Sequence, residues 1–289
     1  MREIRGAVAV ITGAGSGIGR ALAQDLAKRG AKLALADVSS AGLEETRRLL
    51  GTTEARTYTV DVGKAPAVEQ FAQQVQQDFG GVQLLVNNAG VALFGTFAEV
   101  SLGDMEWLIQ INFWGVVYGC KFFLPLLARE PDAHIVNVSS IFGLIGPPGQ
   151  TAYASSKFAV RGFSESLREE LRATTSIKVT SVHPAGIATP IAENARSGQG
   201  SEAAARERAK VLFKKVAVIK PEEAARVIMK GILGNKKRVL IGADAYRVDW
   251  IARLLPSRAS AMYADALAKK VAKAEPGALS SRSANNSKV

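Results

Sequence analysis

Tyr153 and Lys157 lie four residues apart in a segment whose pattern predicts a helix over residues 151–173, so both side chains share one helix face. A tyrosine hydroxyl titrates near pH ~10 and is a poor base unless its phenolate is stabilised. The ammonium of Lys157, one helical turn away, would lower the pKa of Tyr153 towards working pH. An isolated pair with this spacing is more often a surface tyrosine beside an incidental lysine.

Ser140 adds a third functional group to this pair. It follows the predicted strand 134–138, and it precedes Tyr153 by 13 positions. Its hydroxyl can donate a hydrogen bond to the oxygen of a substrate. Ser140, Tyr153 and Lys157 together predict acid–base chemistry on an alcohol or a carbonyl group.

A glycine-rich turn stands near the start of the chain, between a predicted strand at 7–11 and a predicted helix at 18–29. Glycines let the chain turn tightly and let backbone amides approach a pyrophosphate at a helix N-terminus, where the helix dipole favours anions. The spacing departs from the common G-x-G-x-x-G pattern, so the turn alone is not specific. The predicted cofactor contacts here are Gly13, Ser16, Gly17, Ile18 and Gly19.

Asp37 stands at the end of the second predicted strand, 32–36, and 18 residues after Gly19. A carboxylate at this position accepts hydrogen bonds from an adenosine ribose and would repel a 2′-phosphate, which predicts NAD rather than NADP. The alternative is an aspartate that caps the turn before Ser39 and Ser40. The position directly after the second strand favours the cofactor role.

Short polar and small residues also follow the third and fourth predicted strands, 56–60 and 83–87. In an open parallel sheet, ligands bind beyond the carboxyl ends of the strands, so these residues would contact the adenine and hold adjacent turns together. Each of them alone could be ordinary loop chemistry. The predicted cofactor contacts in this group are Asp61, Val62, Asn88, Ala89 and Gly90.

The chain as a whole alternates short apolar segments with longer segments of helical period, which predicts a parallel sheet covered by helices on both faces. Further strands are predicted at 177–182 and 238–241, and further helices at 41–50, 65–79, 104–129 and 221–233. We therefore predict an α/β fold: a Rossmann-type doubly wound parallel sheet of about seven strands, in a single domain over residues 1–273. Residues 192–217 interrupt the alternation, and we predict a substrate lid over about 187–215, whereas the small polar residues 274–289 predict a disordered tail.

Taken in order, these features resemble those of the classical short-chain dehydrogenase/reductase family. The matching features are the TGAGSGIG turn, Asp37, Asp61, NNAG, Asn112, Ser140, YASSK and residues 184–189. They cover roughly residues 6–190, and their joint occurrence at these spacings is highly specific. The resemblance implies a catalytic set of Ser140, Tyr153 and Lys157, with Asn112 as fourth member. In that family the asparagine holds a helix kink and a water that links the lysine to solvent, and the lysine also binds the nicotinamide ribose.

The resemblance also implies a reaction. Ser140 and Tyr153 would orient an alcohol, the Tyr153 phenolate would take its proton, and a hydride would pass to the nicotinamide while Asn112 and Lys157 return the proton to water. One departure is Ala185, because the family usually has glycine directly after the proline. If this position requires a positive φ, the nicotinamide loop would shift. The nicotinamide contacts implied here are Pro184, Gly186, Ile187 and Thr189.

The predicted substrate pocket has apolar walls from residues 91–97 and 141–150 and is closed by the lid. Such walls suit a hydrophobic secondary alcohol or ketone, although apolar residues near a sheet edge are more often core or subunit contacts. The predicted pocket residues are Phe94, Ser140, Phe142, Gln150 and Ile191.

The positive charge of the chain is concentrated in its last third. Residues 190–289 hold 20 of the 37 lysines and arginines but 9 of the 26 aspartates and glutamates, so they carry the whole net charge of +11. Without interleaved aromatics or a known motif, this excess does not predict nucleic-acid binding. The basic segment 244–273 has apolar residues at helical spacing among arginines. Such a segment could lie on a membrane surface or at a subunit interface, and we favour the interface.

The sequence also gives expectations about the cellular location and the oligomeric state. No apolar run reaches the ~18 residues of a membrane span, no signal-peptide pattern opens the chain, and the lone Cys120 is expected to be a buried thiol. We expect a soluble, cytoplasmic homodimer or homotetramer that assembles through the helices at 104–129 and 151–173. No metal site is predicted, and His134 and His183 match no catalytic position of the family, so both are predicted to be structural.

The sequence thus predicts an oxidoreductase that transfers a hydride between NAD(H) and a small-molecule alcohol or ketone. One alternative is an NADPH-dependent carbonyl or 3-oxoacyl reductase, against which Asp37 and the non-basic Val38 argue. Another is a dinucleotide-binding sensor protein without turnover, against which the intact catalytic set argues.

Overall fold

A seven-stranded parallel sheet forms the centre of the protein in a computed structural model that describes residues 3–197 and 216–274, the last five by backbone alone. The strands along the chain are β1 Val8–Thr12, β2 Lys32–Asp37, β3 Ala55–Thr59, β4 Leu84–Asn87, β5 Leu93–Phe94, β6 His134–Val138, β7 Lys178–Pro184, β8 Arg196–Ser197 and β9 Arg238–Ile241. The large sheet has the order β3-β2-β1-β4-β6-β7-β9, and all its pairings are parallel. The predicted Rossmann-type fold in a single domain is confirmed.

Helices cover both faces of this sheet. The helices of the described segments are α1 Gly17–Lys28, α2 Ser40–Leu49, α3 Ala65–Phe79, α4 Leu102–Ile109, α5 Gly115–Leu127, α6 Thr151–Thr174, α7 Pro221–Leu233, α8 Ala243–Leu254 and α9 Ala259–Ala274. One apolar cluster joins α1 and α7 to one face, and a second joins α3, α5 and α6 to the other. In β1, Ile11 belongs to the first cluster and Val10 to the second, because successive strand side chains point to opposite faces. The central strands β1, β4 and β6 are therefore buried along their whole length, whereas the edge strand β3 is largely exposed.

The strand order reverses between β1 and β4. From this neighbouring pair, the chain extends to β3 on one side and to β9 on the other. A crevice opens beyond the carboxyl ends of two such strands, and parallel sheets bind ligands there. The turns that follow β1 and β4 are the TGAGSGIG and NNAG segments, so the topology brings these two motifs together.

The helix predicted at 104–129 is interrupted by a π-helical turn, Gln110–Trp114, which separates α4 from α5. Asn112 lies in this turn and is fully buried. Its Oδ1 accepts a hydrogen bond from the amide of Val91 at 2.8 Å, and its Nδ2 donates to the Val91 carbonyl at 3.0 Å. Single π-turns inside helices are rare and frequent at functional sites. The apolar periodicity gave no signal for the interruption, because the flanking turns keep the helical period.

The chain after β7 folds back over the carboxyl edge of the sheet. Ile187 forms a parallel bridge with Ile219, and β8 pairs with β5 in a small second sheet that was not predicted. The predicted basic segment 244–273 forms two helices, α8 and α9. Residues 198–215 of the predicted lid and the predicted disordered tail after residue 274 lie outside the described residues. Within residues 3–197 and 216–274, no helix is long and apolar enough to cross a membrane.

Candidate active site

The turn between β1 and α1 packs closely against the chain that follows β4. Gly13 and Gly17 have φ angles of +65° and +51°. A Cβ atom at Gly13 would lie 2.8 Å from the Cα of Ala89, and one at Gly17 would lie 2.8 Å from the side chain of Thr189. Both positions therefore require glycine, and the backbone amides at the N-terminus of α1 stay open to an anion.

Gly19 has a different position from the other glycines of the turn. A Cβ atom at Gly19 would overlap the carbonyl oxygen of Gly13, so this residue lets α1 start directly under the turn. Gly19 does not line the cavity, so its role here is in helix packing, and its predicted cofactor contact stays a prediction. Arg20, which the sequence did not single out, fixes the same turn by donating to the carbonyl oxygens of Gly15 and Gly42 and to Oγ1 of Thr46.

Asp37 lies at the end of β2 with its carboxylate against the glycine turn. Its Oδ2 accepts a hydrogen bond from the amide of Gly15 at 2.9 Å, and its Oδ1 accepts from the amide of Ser39 at 2.9 Å. Each oxygen keeps a further lone pair for the hydroxyls of a ribose. The turn-capping role and the cofactor role are thus compatible, because one carboxylate can perform both.

One large cavity of about 1250 Å³ runs along the carboxyl edge of the sheet. All of the predicted cofactor and substrate-pocket residues line it except Gly19. Of the predicted catalytic residues, Ser140, Tyr153 and Lys157 line the cavity, whereas Asn112 lies behind its wall. The glycine turn and the candidate catalytic groups therefore border one continuous space, which suits a dinucleotide laid across the strand ends beside a substrate.

Tyr153 and Lys157 project from α6 into this cavity. The Nζ atom of Lys157 lies 5.7 Å from the centroid of the Tyr153 ring and donates a hydrogen bond to the Val138 carbonyl at 3.1 Å. Burial lowers the pKa of Lys157 to about 8. Burial raises the pKa of Tyr153 to about 12, and a hydrogen bond with Ser140 opposes this increase. The protein alone therefore keeps Tyr153 neutral, and a further positive charge beside it is needed to favour the phenolate.

Ser140 is held from two sides. Its Oγ accepts a hydrogen bond from the amide of Phe142 at 3.1 Å, and its carbonyl oxygen lies 3.0 Å from Nδ1 of His183. Because a carbonyl only accepts, Nδ1 carries the proton, and Nε2 accepts from Ser181 Oγ at 3.2 Å. Burial lowers the pKa of His183 to about 4, so its ring is neutral. His183 was predicted to be structural, and its contact fixes the backbone of Ser140.

Gly90 lies between Asn112 and Lys157. A Cβ atom at Gly90 would stand 3.2 Å from Oδ1 of Asn112 and 3.5 Å from Nζ of Lys157. The missing side chain lets the π-helical turn approach the lysine. Asn112 also donates to Oγ of Ser156 at 3.3 Å, which ties this turn to α6. The asparagine thus positions the helix that carries Tyr153 and Lys157.

Ala185 does not have the positive φ that was considered for it. Among the non-glycine residues of the described segments, only Asn235 has a φ in that region. The steric requirement lies one residue later, because a Cβ atom at Gly186 would collide with the carbonyl oxygen of Val216 and approach the Cα of Ala217 to 2.9 Å. An alanine at 185 is therefore tolerated without a strained backbone.

Helices α8 and α9 supply cavity residues that sequence reasoning missed. Val248 and Ile251 of α8 and Met262 and Tyr263 of α9 line the outer part of the cavity. The ring of Phe142 contacts both Tyr153 and Tyr263 edge to face, at centroid distances of 6.2 and 5.8 Å. Apolar residues at helical spacing indicated the helices, but nothing in the sequence indicated that they fold back over the site.

Arg196 connects the start of the predicted lid to α4. Its guanidinium carbon lies 3.8 Å from the ring centroid of Trp107, and its Nη1 lies 3.2 Å from Oδ1 of Asp104. The pairing of β8 with β5 brings Arg196 to this position. The contact holds the segment of the cavity wall that includes Ile191, Asn194 and Ser197.

Comparisons with known proteins agree with this geometry. A family model described as short chain dehydrogenase matches residues 7–200. The oxidoreductase SadH of Mycobacterium tuberculosis is 45% identical over 93% of this chain and 98% of its own length. Human estradiol 17-beta-dehydrogenase 11 is 32% identical over 89% of this chain and 82% of its own length. The crystal structure of a short chain dehydrogenase/reductase from Burkholderia phymatum in complex with NAD superposes with a TM-score of 0.83 at 32% identity, covering 88% of this chain and 95% of that one. Other similar structures hold NADP.

Proposed function

Because this chain belongs to the short-chain dehydrogenase/reductase family, we propose that it transfers a hydride between NAD(H) and a hydrophobic secondary alcohol or ketone. The observation that carries this proposal is the single cavity shared by the glycine turn, Asp37 and the Ser140–Tyr153–Lys157 group. In this arrangement one molecule of substrate can lie between the acid–base tyrosine and a dinucleotide.

The residues of the cavity fit a dinucleotide along its length. The amides at Gly13–Ile18 would hold the pyrophosphate, Asp37 the adenosine ribose, and residues 61–62 and 88–90 the adenine side. Residues 184–189 would face the nicotinamide. NAD supplies the hydride acceptor in such a site, while the protein supplies binding, orientation and proton transfer.

The acid–base work falls to the candidate catalytic side chains. Ser140 donates a hydrogen bond to the substrate oxygen, and Tyr153 removes the proton from the alcohol or returns it to the ketone oxygen. Lys157 stabilises the phenolate. Because burial lowers the pKa of Lys157 to about 8, this group can exchange a proton near neutral pH. Asn112 positions the π-helical turn beside the lysine.

Two contacts support NAD over NADP. The carboxylate of Asp37 is fixed on the wall of the cavity by Gly15 and Ser39, where it would repel a 2′-phosphate. Arg20, the basic residue in the first turn of α1, already bonds to Gly15, Gly42 and Thr46, so its guanidinium is not directed at a phosphate. An Asp37→Ser variant should therefore lower the preference for NAD⁺, measured as kcat/KM with NAD⁺ divided by kcat/KM with NADP⁺.

The outer cavity supports a bulky apolar substrate. Its walls include Phe142, Ile145, Ile251 and Met262 beside the ring of Tyr263. Apolar walls with few polar groups favour hydrophobic ligands. A relative is named for estradiol, which is a secondary alcohol on a rigid apolar skeleton.

The subunit arrangement stays a prediction, as does the cytoplasmic location. Trp114 and Phe158 are each 42% exposed on the helices predicted to mediate assembly, which supports a homodimer or homotetramer through α4–α6. A solution mass from light scattering would decide between one, two and four subunits.

The test of the proposed function is NADH formation by the purified protein with NAD⁺ or NADP⁺ and secondary alcohols graded in bulk. We expect activity with NAD⁺ that rises with apolar bulk. Tyr153→Phe should lower kcat by about 10²–10⁴-fold while NAD binding, measured by calorimetry, is retained. Tyr58→Phe is the matched control, because its hydroxyl bonds to Asp78 and the ring does not line the cavity.

Three outcomes would contradict the proposal. Activity with NADP⁺ alone would favour the NADPH-dependent reductase. An active Tyr153→Phe variant would remove the acid–base assignment. Bound NAD without turnover of any alcohol or ketone would favour a dinucleotide-binding sensor protein.

A further inference from the structure

Helix α8 exposes an apolar stripe to solvent. Tyr246, Trp250 and Leu254 follow one another at intervals of four residues, and they are 53%, 64% and 70% exposed. Residues at this spacing share one helix face. Leu255, at the end of the helix, is 43% exposed. A contiguous patch of large apolar side chains, unlike a single exposed leucine, indicates an interaction surface.

The stripe is held outward by the packing of the opposite face. Ala245 and Val248 are buried beneath α8. Asp249 accepts from Arg238 at 2.7 Å and from Arg253 at 2.9 Å, and Arg238 also pairs with Glu165 of α6 at 2.6 Å. Because these contacts fix the helix against β9 and the catalytic helix, the stripe cannot turn inward without breaking them.

The face around the stripe is positively charged. Arg247 and Arg253 flank it with side chains that are 75% and 58% exposed, and Arg258 is exposed in the following turn. Arg247 pairs with Asp244, which is 58% exposed, and Arg253 pairs with Asp249, so the three arginines of this face exceed its two aspartates by one charge. Asp249 is 13% exposed and both its oxygens are paired, so it adds little negative potential to the surface. The face lies in residues 190–289, which carry the whole net charge of the chain.

The same two helices form the outer wall of the cavity. Val248 and Ile251, on the side of α8 away from the stripe, line the cavity together with Met262 of α9. Met262 is also 41% exposed, so apolar surface continues from the outside of the molecule into the cavity. A ligand that leaves an apolar phase at the stripe would therefore have a short apolar path to the candidate site.

We propose that the stripe and its arginines dock this protein onto an anionic lipid surface, from which apolar substrates enter the cavity between α8 and α9. Aromatic and leucine side chains opposite a buried face, with arginines at the flanks, are typical of elements that lie in the headgroup region of a bilayer. The delivery of substrate depends on the proposed function, whereas the docking itself does not.

A second copy of the chain fits this face less well. Two copies facing each other through it would bring together two faces that each keep an excess of positive charge, and like charges across an interface repel. Anionic lipids complement the same charges. The exposed aromatics of the predicted subunit interface are Trp114 and Phe158, which stand on other helices.

The test is co-sedimentation of the full-length protein with vesicles of phosphatidylcholine alone or with one quarter phosphatidylglycerol. We expect at least a 10-fold higher partition coefficient with the anionic vesicles, and a decrease as salt screens the arginines. The variant Trp250→Ser/Leu254→Ser should lose at least 10-fold of that partition. The control is Leu49→Ser/Leu233→Ser, since both leucines are exposed on helices that do not line the cavity.

The proposal is overturned if the native protein does not sediment with anionic vesicles, or if both double variants bind as the native protein does. A stripe variant that changes the solution mass, while the native protein ignores vesicles, would assign the face to a second copy. Turnover of the graded secondary alcohols in the absence of vesicles provides the separate readout: vesicle binding without turnover of any alcohol or ketone would leave docking in place and remove the proposed function.

Discussion

At the scale of single residues, Tyr153 and Lys157 have pKa shifts in opposite directions with one cause. Burial raises the pKa of the tyrosine to about 12 and lowers that of the lysine to about 8, because a desolvated environment disfavours the charged form of each group. The phenolate therefore depends on charge that arrives with the dinucleotide. Tyr153 should become a useful base only in the complex with NAD⁺.

The first prediction concerns the pH dependence of the reaction. Alcohol oxidation needs the phenolate of Tyr153 and ketone reduction needs the phenol, so kcat/KM for oxidation should rise with pH where that for reduction falls. Steady-state kinetics in both directions between pH 6 and 10 would check this. Opposite slopes that persist in Tyr153→Phe would show that another group titrates.

The second prediction separates Gly186 from its neighbour Ala185. Gly186→Ala should raise the KM for NAD⁺ at least 10-fold, because the new Cβ atom collides with the carbonyl of Val216 and displaces the predicted nicotinamide loop. Ala185→Gly should leave KM within about 2-fold and cost about 0.5–1 kcal/mol of stability through backbone entropy. Kinetics and thermal unfolding of both variants test the pair, and equal effects would refute the assignment.

At the scale of elements, three segments position the site. The π-helical turn brings Asn112 behind Gly90, the β5–β8 pairing brings Arg196 to Trp107, and α8 with α9 close the outer wall. None of these contacts lies within a single helix or strand. Each joins segments that are distant in the chain, so each can be loosened without removing a catalytic group.

The third prediction concerns the contact of Arg196 with Trp107 and Asp104. Arg196→Ala removes an exposed cation–π contact of about 0.5–1 kcal/mol, which corresponds to a factor of about 2–5. We expect the KM for a bulky alcohol to rise by that factor, while the KM for NAD⁺ is unchanged. For Arg196→Lys, the KM for the bulky alcohol should lie between the values of the native protein and of Arg196→Ala, since lysine keeps the charge opposite Asp104 but not the planar stacking.

Arg172→Ala is the matched control for this prediction. Arg172 forms an exposed ion pair with Glu169 at 2.8 Å on α6 and touches no part of the cavity. Surface pairs of this kind contribute little, so its kinetics should equal those of the native protein. If Arg172→Ala raises the KM for the bulky alcohol as Arg196→Ala does, the loss of a surface charge, and not of the contact with Trp107, causes the effect.

At the scale of the whole molecule, the two histidines of the chain are both buried in the sheet. Burial lowers the pKa of His134 to about 3 and that of His183 to about 4. Above pH 6.5 both rings are neutral in the folded and unfolded states. As the pH falls below 6.5, the unfolded chain binds protons that the folded protein does not, so folding stability decreases.

The fourth prediction follows from this difference. Between pH 6.5 and 5, the free energy of unfolding should fall with a slope that steepens from about 0.7 to about 1.4 kcal/mol per pH unit for each histidine, as the unfolded histidine becomes fully protonated. Urea unfolding at several pH values measures the slope. His134→Gln can keep a hydrogen bond to Thr180 and should remove the contribution of one histidine, about half of the slope that the two histidines cause. An unchanged slope would show that other groups cause it.

The amino-acid sequence by itself determined the sheet and the candidate chemistry. The predicted strands and main helices begin or end within about two residues of those observed, because apolar periodicity and glycine turns are local properties. The predicted catalytic and cofactor residues, Gly19 and Asn112 apart, line one cavity because the carboxyl ends of parallel strands must meet at one edge.

Only the tertiary structure decided how this edge is enclosed. The π-helical turn at Asn112, the parallel β5–β8 pair, the steric requirement at Gly186 and the outward stripe of α8 depend on contacts between segments far apart in the chain. Apolar residues of α8 look alike in the sequence whether they line a cavity or face solvent. The direction in which each points is set by packing against β9 and α6, which no local pattern encodes.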